Sequence, residues 1–376
     1  MSIKEYLLSV DRWDQLLLRI KESGYKLLGP TLREDAILYD EIHSAKDLPI
    51  GWTDEQDPGY YRIKRGVEHA YFQHHSGPQS WKQYLFPPCE KLWSARKREG
   101  GMEIEPPLLS HVEKVAFIGV HACDLQAIHV LDRVFKSELC AHPSYLQRRD
   151  NVLIVALDCT SASRCCFCAS MGSGPDAKEG YDLALTEVAE GKDHFFIIRP
   201  GSSLGEALLE ALSLPAASHA ESEWARSLVE KNKEEMVRQV DNSRVPEMLK
   251  KSWLYKSWDS VAQRCINCTN CTLACPTCFC SQAEERVSLD GAQADHVQSW
   301  ESCFNLSHSY VHGGSVRFSP RARYRQWLTH KFGTWWDQFG LSGCVGCGRC
   351  ITWCPVGIDV TEELNKLQME ADHASS

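Results

Sequence analysis

The chain has 376 residues, 24% of them charged and 43% hydrophobic, and a formal net charge of −9. That composition excludes a disordered chain, a collagen-like fibre and a coiled coil as the main architecture, and the length suits two or three domains. No apolar run approaches the ~20 residues of a membrane helix. The acidic balance argues against a phosphate-backbone partner, and an N-terminus carrying Glu5 and Asp11 lacks the form of a secretory leader. A cytoplasmic protein with no membrane and no nucleic-acid partner is the expectation.

Apolar residues at helical spacing from Tyr6 to Ile20 predict a helix over residues 2–22, stopped by Gly24. Short strands are expected at Tyr25–Leu28 and Ala36–Ile42, then irregular structure with short strands between Pro49 and Pro107. Lys114–Val120 reads as a buried strand, Asp124–Phe135 as a helix and Val152–Leu157 as a second buried strand. Strands at Tyr181–Glu187 and His194–Arg199 and a helix at Gly205–Ser213 follow. A charged helix over about 222–240 precedes one capped by Asn242 or Ser243, with Pro246 in its first turn.

The 18 cysteines are the anomaly. Cys265, Cys268, Cys271 and Cys275 run as C-x2-C-x2-C-x3-C-P, and Cys344, Cys347, Cys350 and Cys354 repeat the pattern. In a reducing compartment such density means metal ligation rather than disulfides. This spacing binds [4Fe–4S] clusters in two-cluster ferredoxins, where the fourth cysteine of each run ligates the other cube. Cross-ligation assigns Cys265, Cys268, Cys271 and Cys354 to one cluster and Cys344, Cys347, Cys350 and Cys275 to the other. Zinc sites use two C-x2-C pairs and would leave the extra cysteines unexplained. With every iron saturated by thiolate, the default role is electron transfer, and no catalytic residue is assigned.

The fold expected is therefore a mixed α/β N-terminal domain over 1–245 and a mainly helical, ferredoxin-like domain with two [4Fe–4S] clusters over 246–376. A long insert, 281–343, separates the two motifs. Its Arg317, Arg321, Arg323, Arg325, His330 and Lys331 are read as cations that offset anionic clusters or dock an acidic partner, ahead of a nucleic-acid surface.

A third constellation lies upstream. Cys123 and Cys159 follow the two buried strands, and Cys165, Cys166 and Cys168 precede a loop, Ser170–Pro175, that could bring backbone N–H groups near an anionic centre. Cys123, Cys159, Cys166 and Cys168 form the ligand set expected for a third [4Fe–4S] cluster, with Cys165 spare; buried core cysteines are the alternative. Cys278, Cys280 and Cys303 either bind a further cluster or pack beside the ferredoxin fold. Cys89 and Cys140 are read as structural, and His74 and His75 as surface residues. Walker, G-x-S-x-G and strand-following G-x-G-x-x-G motifs are lacking, so direct flavin or nicotinamide binding has no sequence support.

The pattern resembles the beta, iron–sulfur subunit of cytosolic sulfhydrogenases, bidirectional [NiFe] hydrogenases linked to NAD(P). It is similar also to the electron-transfer subunit of anaerobic sulfite reductase. The resemblance rests on Gly77-Pro-Gln-Ser-Trp-Lys82, Cys123-Asp-Leu125, Cys166-Phe-Cys-Ala-Ser-Met-Gly172, Cys275-Pro-Thr-Cys-Phe-Cys280 and Gly343-Cys-Val-Gly-Cys-Gly-Arg-Cys350. It implies a heteromeric assembly, a heterotetramer, in which the small and large [NiFe] hydrogenase subunits join a flavin- and NAD(P)-binding gamma-type subunit. Electrons would pass through this chain between H2 and NAD(P), with reduction of sulfur or polysulfide as a further activity of such complexes. The sulfite reductase reading keeps the wiring and changes the terminal catalyst.

Overall fold

The computed structural model describes residues 4–75, 77–106, 112–137 and 141–374; Cys140 lies outside them. A seven-stranded sheet organises the N-terminal half. Its strands are β1 (Tyr6–Ser9), β2 (Lys26–Arg33), β3 (Ala36–Glu41), β8 (Val115–His121), β9 (Val152–Asp158), β10 (Leu183–Glu190) and β11 (Asp193–Pro200), in the order β1-β11-β10-β9-β8-β2-β3. The pairs β2/β8, β8/β9 and β9/β10 are parallel, and the outer pairs are antiparallel. The near-continuous apolar sequences of β8 and β9 suit strands covered on both faces. The helix Trp13–Glu22 packs Trp13, Leu16 and Ile20 into one apolar cluster, and the helix Ala122–Phe135 packs Leu125, Ile128 and Leu131 into another.

The helix expected over 2–22 is shorter than predicted. Residues 6–9 pair with Phe195–Ile198 as an antiparallel edge strand, and helix begins only at Val10. Tyr-Leu-Leu-Ser satisfies either periodicity, and pairing across the sheet decides it.

Between these strands lie a hairpin, β4 (Trp52–Asp57) with β5 (Tyr60–Arg65), and the pair β6 (Cys89–Arg98) with β7 (Gly101–Glu105). The insert opens with a further hairpin, β12 (Ser281–Val287) and β13 (Gln293–Trp300), and β13 pairs with β6. The resulting sheet, β12-β13-β6-β7, draws strands from both halves of the chain. The insert is therefore not simply helical, although helices follow at Pro320–Thr329 and Trp335–Phe339. All residues of β12 are exposed, so no burial pattern in the sequence marks it as a strand.

Candidate iron–sulfur sites

Parallel pairing of β8 with β9 brings their carboxyl ends to one edge, and Cys123 and Cys159 follow directly. Cys123 lies in electrostatic reach of Cys168 and Cys159, and Cys159 of Cys166. Cys168 in turn lies near Cys166 and Cys159, so the four upstream cysteines form one group. All four thiols are held well inside the protein, and burial raises the pKa of each. Cys165 faces elsewhere, toward Thr352, Arg238 and Asp359. Its neighbour Cys166 shares a 3.3 Å hydrogen bond with the Ser163 hydroxyl.

The loop after Cys168 differs from its expected role. The amides of Ser170, Gly172 and Ser173 donate to Phe167, Ala169 and Cys168, closing their own turn. Gly174 makes the close approach instead: a Cβ there would come within 3.1 Å of Cys168 Sγ and 3.3 Å of the Ala122 Cβ.

In the C-terminal part, a hollow is lined by Cys265, Cys268, Cys271, Cys350 and Cys354. Cross-ligation groups four of these five and assigns Cys350 to the neighbouring cluster. Tyr324 and Trp327 also line it, and Tyr324 Oη and Trp327 Nε1 are buried with no hydrogen-bond partner among the described residues. Orphaned buried donors are costly unless something accepts from them. An anionic cube with sulfide acceptors would fit that wall, and four thiols would be available to hold it. Arg323, buried with Nε unpartnered among the described residues, favours the thiolate of Cys265.

The second motif forms its own group. Cys350 lies near Cys344, Cys347 and Cys275, and burial pushes the Cys344 thiol up to about 12 against the pull of Lys331. The Lys331 ammonium is buried and donates to Cys275 Sγ at 3.4 Å, Thr277 Oγ1 at 3.1 Å and the Gly343 carbonyl at 3.1 Å. Lys82, also buried, donates to the carbonyls of Cys275 and Cys278 at 3.0 and 2.9 Å and lies over the Trp300 ring. Thus Lys331 and Arg323 do face the cysteines, whereas Arg321 bonds Asp259 and Arg325 stacks on Trp253.

The three groups touch in sequence. Cys123 and Cys168 both lie near Cys347, and Cys350 lies near Cys271. The Cys344–Cys350 loop packs backbone to backbone on residues 165–168: Phe167 N donates to the Gly346 carbonyl at 2.9 Å. Gly346 and Gly348 have φ of 65° and 77°, and a Cβ on either would strike that segment at under 2.8 Å. Arg349 forms a fully buried bidentate pair with Asp124 at 2.7 and 2.8 Å and donates to the carbonyls of Gly77 and Gln79. Among the described residues, no three His, Cys, Asp or Glu side chains converge as a site for a single metal ion.

Residues 264–358 match the family model described as a 4Fe-4S dicluster domain, which supports two [4Fe–4S] clusters. The chain is also 26% identical over 359 residues to sulfhydrogenase 2 subunit beta of Pyrococcus furiosus, covering 93% of this chain and 94% of that protein. The expected family resemblance is borne out. No solved structure matches the chain.

His74 and His75 are not surface residues. His74 is 2% exposed against His121, and burial lowers its pKa to about 3. His75 bonds the Asp54 carboxylate. Cys89 is exposed at the start of β6. Sequence reasoning missed Lys82, Asp124, Tyr324, Trp327 and Arg349 as part of the sites. Three of them stand inside the strings that carried the resemblance, which was the available signal. No helix is long and apolar enough to cross a membrane among the described residues.

Proposed function

We propose that this chain is the electron-transfer iron–sulfur subunit of a cytoplasmic, heteromeric [NiFe] hydrogenase. Its partners would be the small and large hydrogenase subunits on one side and a flavin- and NAD(P)-binding subunit on the other. The observation that carries the reading is the contiguous run of cysteine groups, from Cys123, Cys159, Cys166 and Cys168, through Cys275, Cys344, Cys347 and Cys350, to Cys265, Cys268, Cys271 and Cys354. Cubes bound at these three groups would each carry single electrons. The upstream group would hold the third cluster, with Cys165 outside it.

The chain's own residues define the conditions of transfer. Buried thiols and aromatic walls exclude water, Lys331 and Arg323 offset negative charge, and Arg349 with Asp124 fixes the upstream group against the Cys344 loop. Cys268 is exposed, unlike the other eleven proposed ligands, which makes its group the natural place for exchange with a partner. With all irons held by thiolate, reduction of sulfur or polysulfide would belong to the assembly rather than to these sites.

The reading is tested by assembling the chain with the hydrogenase pair and the flavin-binding protein, then measuring H2-driven NAD(P)+ reduction. Cys347→Ser should lower that rate at least a hundredfold while H2-driven dye reduction by the catalytic pair persists. Wild-type NAD(P)+ reduction without this chain would refute the proposal.

A further inference from the structure

Cys280 and Cys303 stand apart from the twelve cysteines already grouped. The Cys280 and Cys303 side chains meet one another. The fold brings them there. Cys280 immediately precedes β12, Ser281 pairs with Trp300, and Glu301 N donates to the Cys280 carbonyl at 2.8 Å, so the mouth of the hairpin faces both cysteines. Cys303 lies two residues beyond Glu301. It is held by Ser302, whose hydroxyl bonds Thr272 at 2.7 Å, and by Phe304, which is buried.

The His308 side chain reaches Cys280, and both cysteines are half-buried rather than enclosed. Cys278 meets Cys275 in the same direct way, but Cys275 already belongs to a group. His308 does not complete the pair into a mononuclear metal site among the described residues.

We propose that Cys280 and Cys303 form a reversible redox-active dithiol that exchanges with low-molecular-weight disulfides. Cys280 Sγ, as thiolate, attacks one sulfur of the external disulfide; a new S–S bond forms, the old one breaks, and the first thiolate leaves and takes a proton. Cys303 Sγ then loses its proton and attacks Cys280 Sγ, forming the internal disulfide and expelling the second external thiolate. Two protein thiols are oxidised and one external disulfide is reduced to two thiols; excess external thiol reverses both steps. The order of attack agrees with the charges: contact with Cys303 and then His308 favour the thiolate of Cys280, while Cys303 is held protonated.

The test uses the full-length, cluster-loaded protein equilibrated anaerobically with graded mixtures of reduced and oxidised glutathione, quenched with N-ethylmaleimide, digested and read by mass spectrometry. A cross-linked peptide pair containing Cys280 and Cys303 should appear in one two-electron transition. It should vanish in Cys280→Ser and Cys303→Ser and survive in Cys89→Ser, with iron per chain unchanged in all three. His308→Gln should slow cross-link formation several-fold at neutral pH without abolishing it. Recovery of both residues as free alkylated thiols across the whole series would overturn the proposal. So would loss of iron or zinc from Cys280→Ser or Cys303→Ser, since the pair would then be metal ligands.

Discussion

Around Cys275 the protein places a buried ammonium, with Lys331 donating directly to the sulfur, and a second, Lys82, on the adjoining carbonyls. Around Cys265 and Cys354 it places one guanidinium, that of Arg323, with a Tyr hydroxyl, a Trp N–H and an opening at Cys268, but no cation bonded to a ligand sulfur among the described residues. The ligand spacing is the same in the two motifs. The lesson is that spacing determines which irons are held, while charge and donors contributed by distant segments determine how readily each site takes an electron. The Cys275 site should carry the more positive potential of the two.

The largest expected effect tests which cysteines belong together. Cys354→Ser should cost about four irons per chain, and the surviving C-terminal cube should be insensitive to Tyr324→Phe. If each motif instead held its own cube, the survivor would be the one beside Tyr324 and would respond to that change. Next comes Arg349→Met, which leaves the Asp124 carboxylate buried and unpaired. A loss of about 3–5 kcal/mol is expected from chemical denaturation, and no loss would mean that the pair is not what joins the two regions.

Acid lability should arise in the N-terminal region, from His74. Its folded pKa is depressed to about 3 by burial. Below the ordinary value near 6.5 the unfolded chain binds a proton that the folded chain does not, so stability falls as pH drops from about 6.5 toward 3. Urea midpoints should follow that trend, and His74→Phe should flatten it.

The smallest effects compare the two C-terminal sites directly. Removing the ammonium in Lys331→Met should lower the potential of the Cys275 site, by about 59 mV if the reduced-to-oxidised ratio changes tenfold. Tyr324→Phe should lower the other site's potential by less, because a neutral donor is lost rather than a charge. Equal shifts in redox titration would remove the distinction drawn above.

Much of this was legible in the chain. The C-x2-C-x2-C-x3-C-P runs name eight cysteines by spacing alone, and two apolar strands each followed by a cysteine foretold the convergence of Cys123 and Cys159. Other features depend on contacts far apart in sequence. Lys331 was one basic residue among several in the insert, and only packing distinguishes it from Arg321 or Arg325. Residues 6–9 became strand because β11 was there to pair with, and fully exposed β12 carries no apolar pattern to read. His74 looked polar and therefore external, but it packs between Phe72 and His121.

The most direct measurement is iron and acid-labile sulfide per chain after anaerobic purification, together with EPR of the dithionite-reduced protein. About twelve of each is expected, since each cube carries about four irons, and Cys168→Ser should remove one cube's worth while sparing the signal of the C-terminal pair. About eight of each, unchanged in Cys168→Ser, would contradict a third cluster at Cys123, Cys159, Cys166 and Cys168.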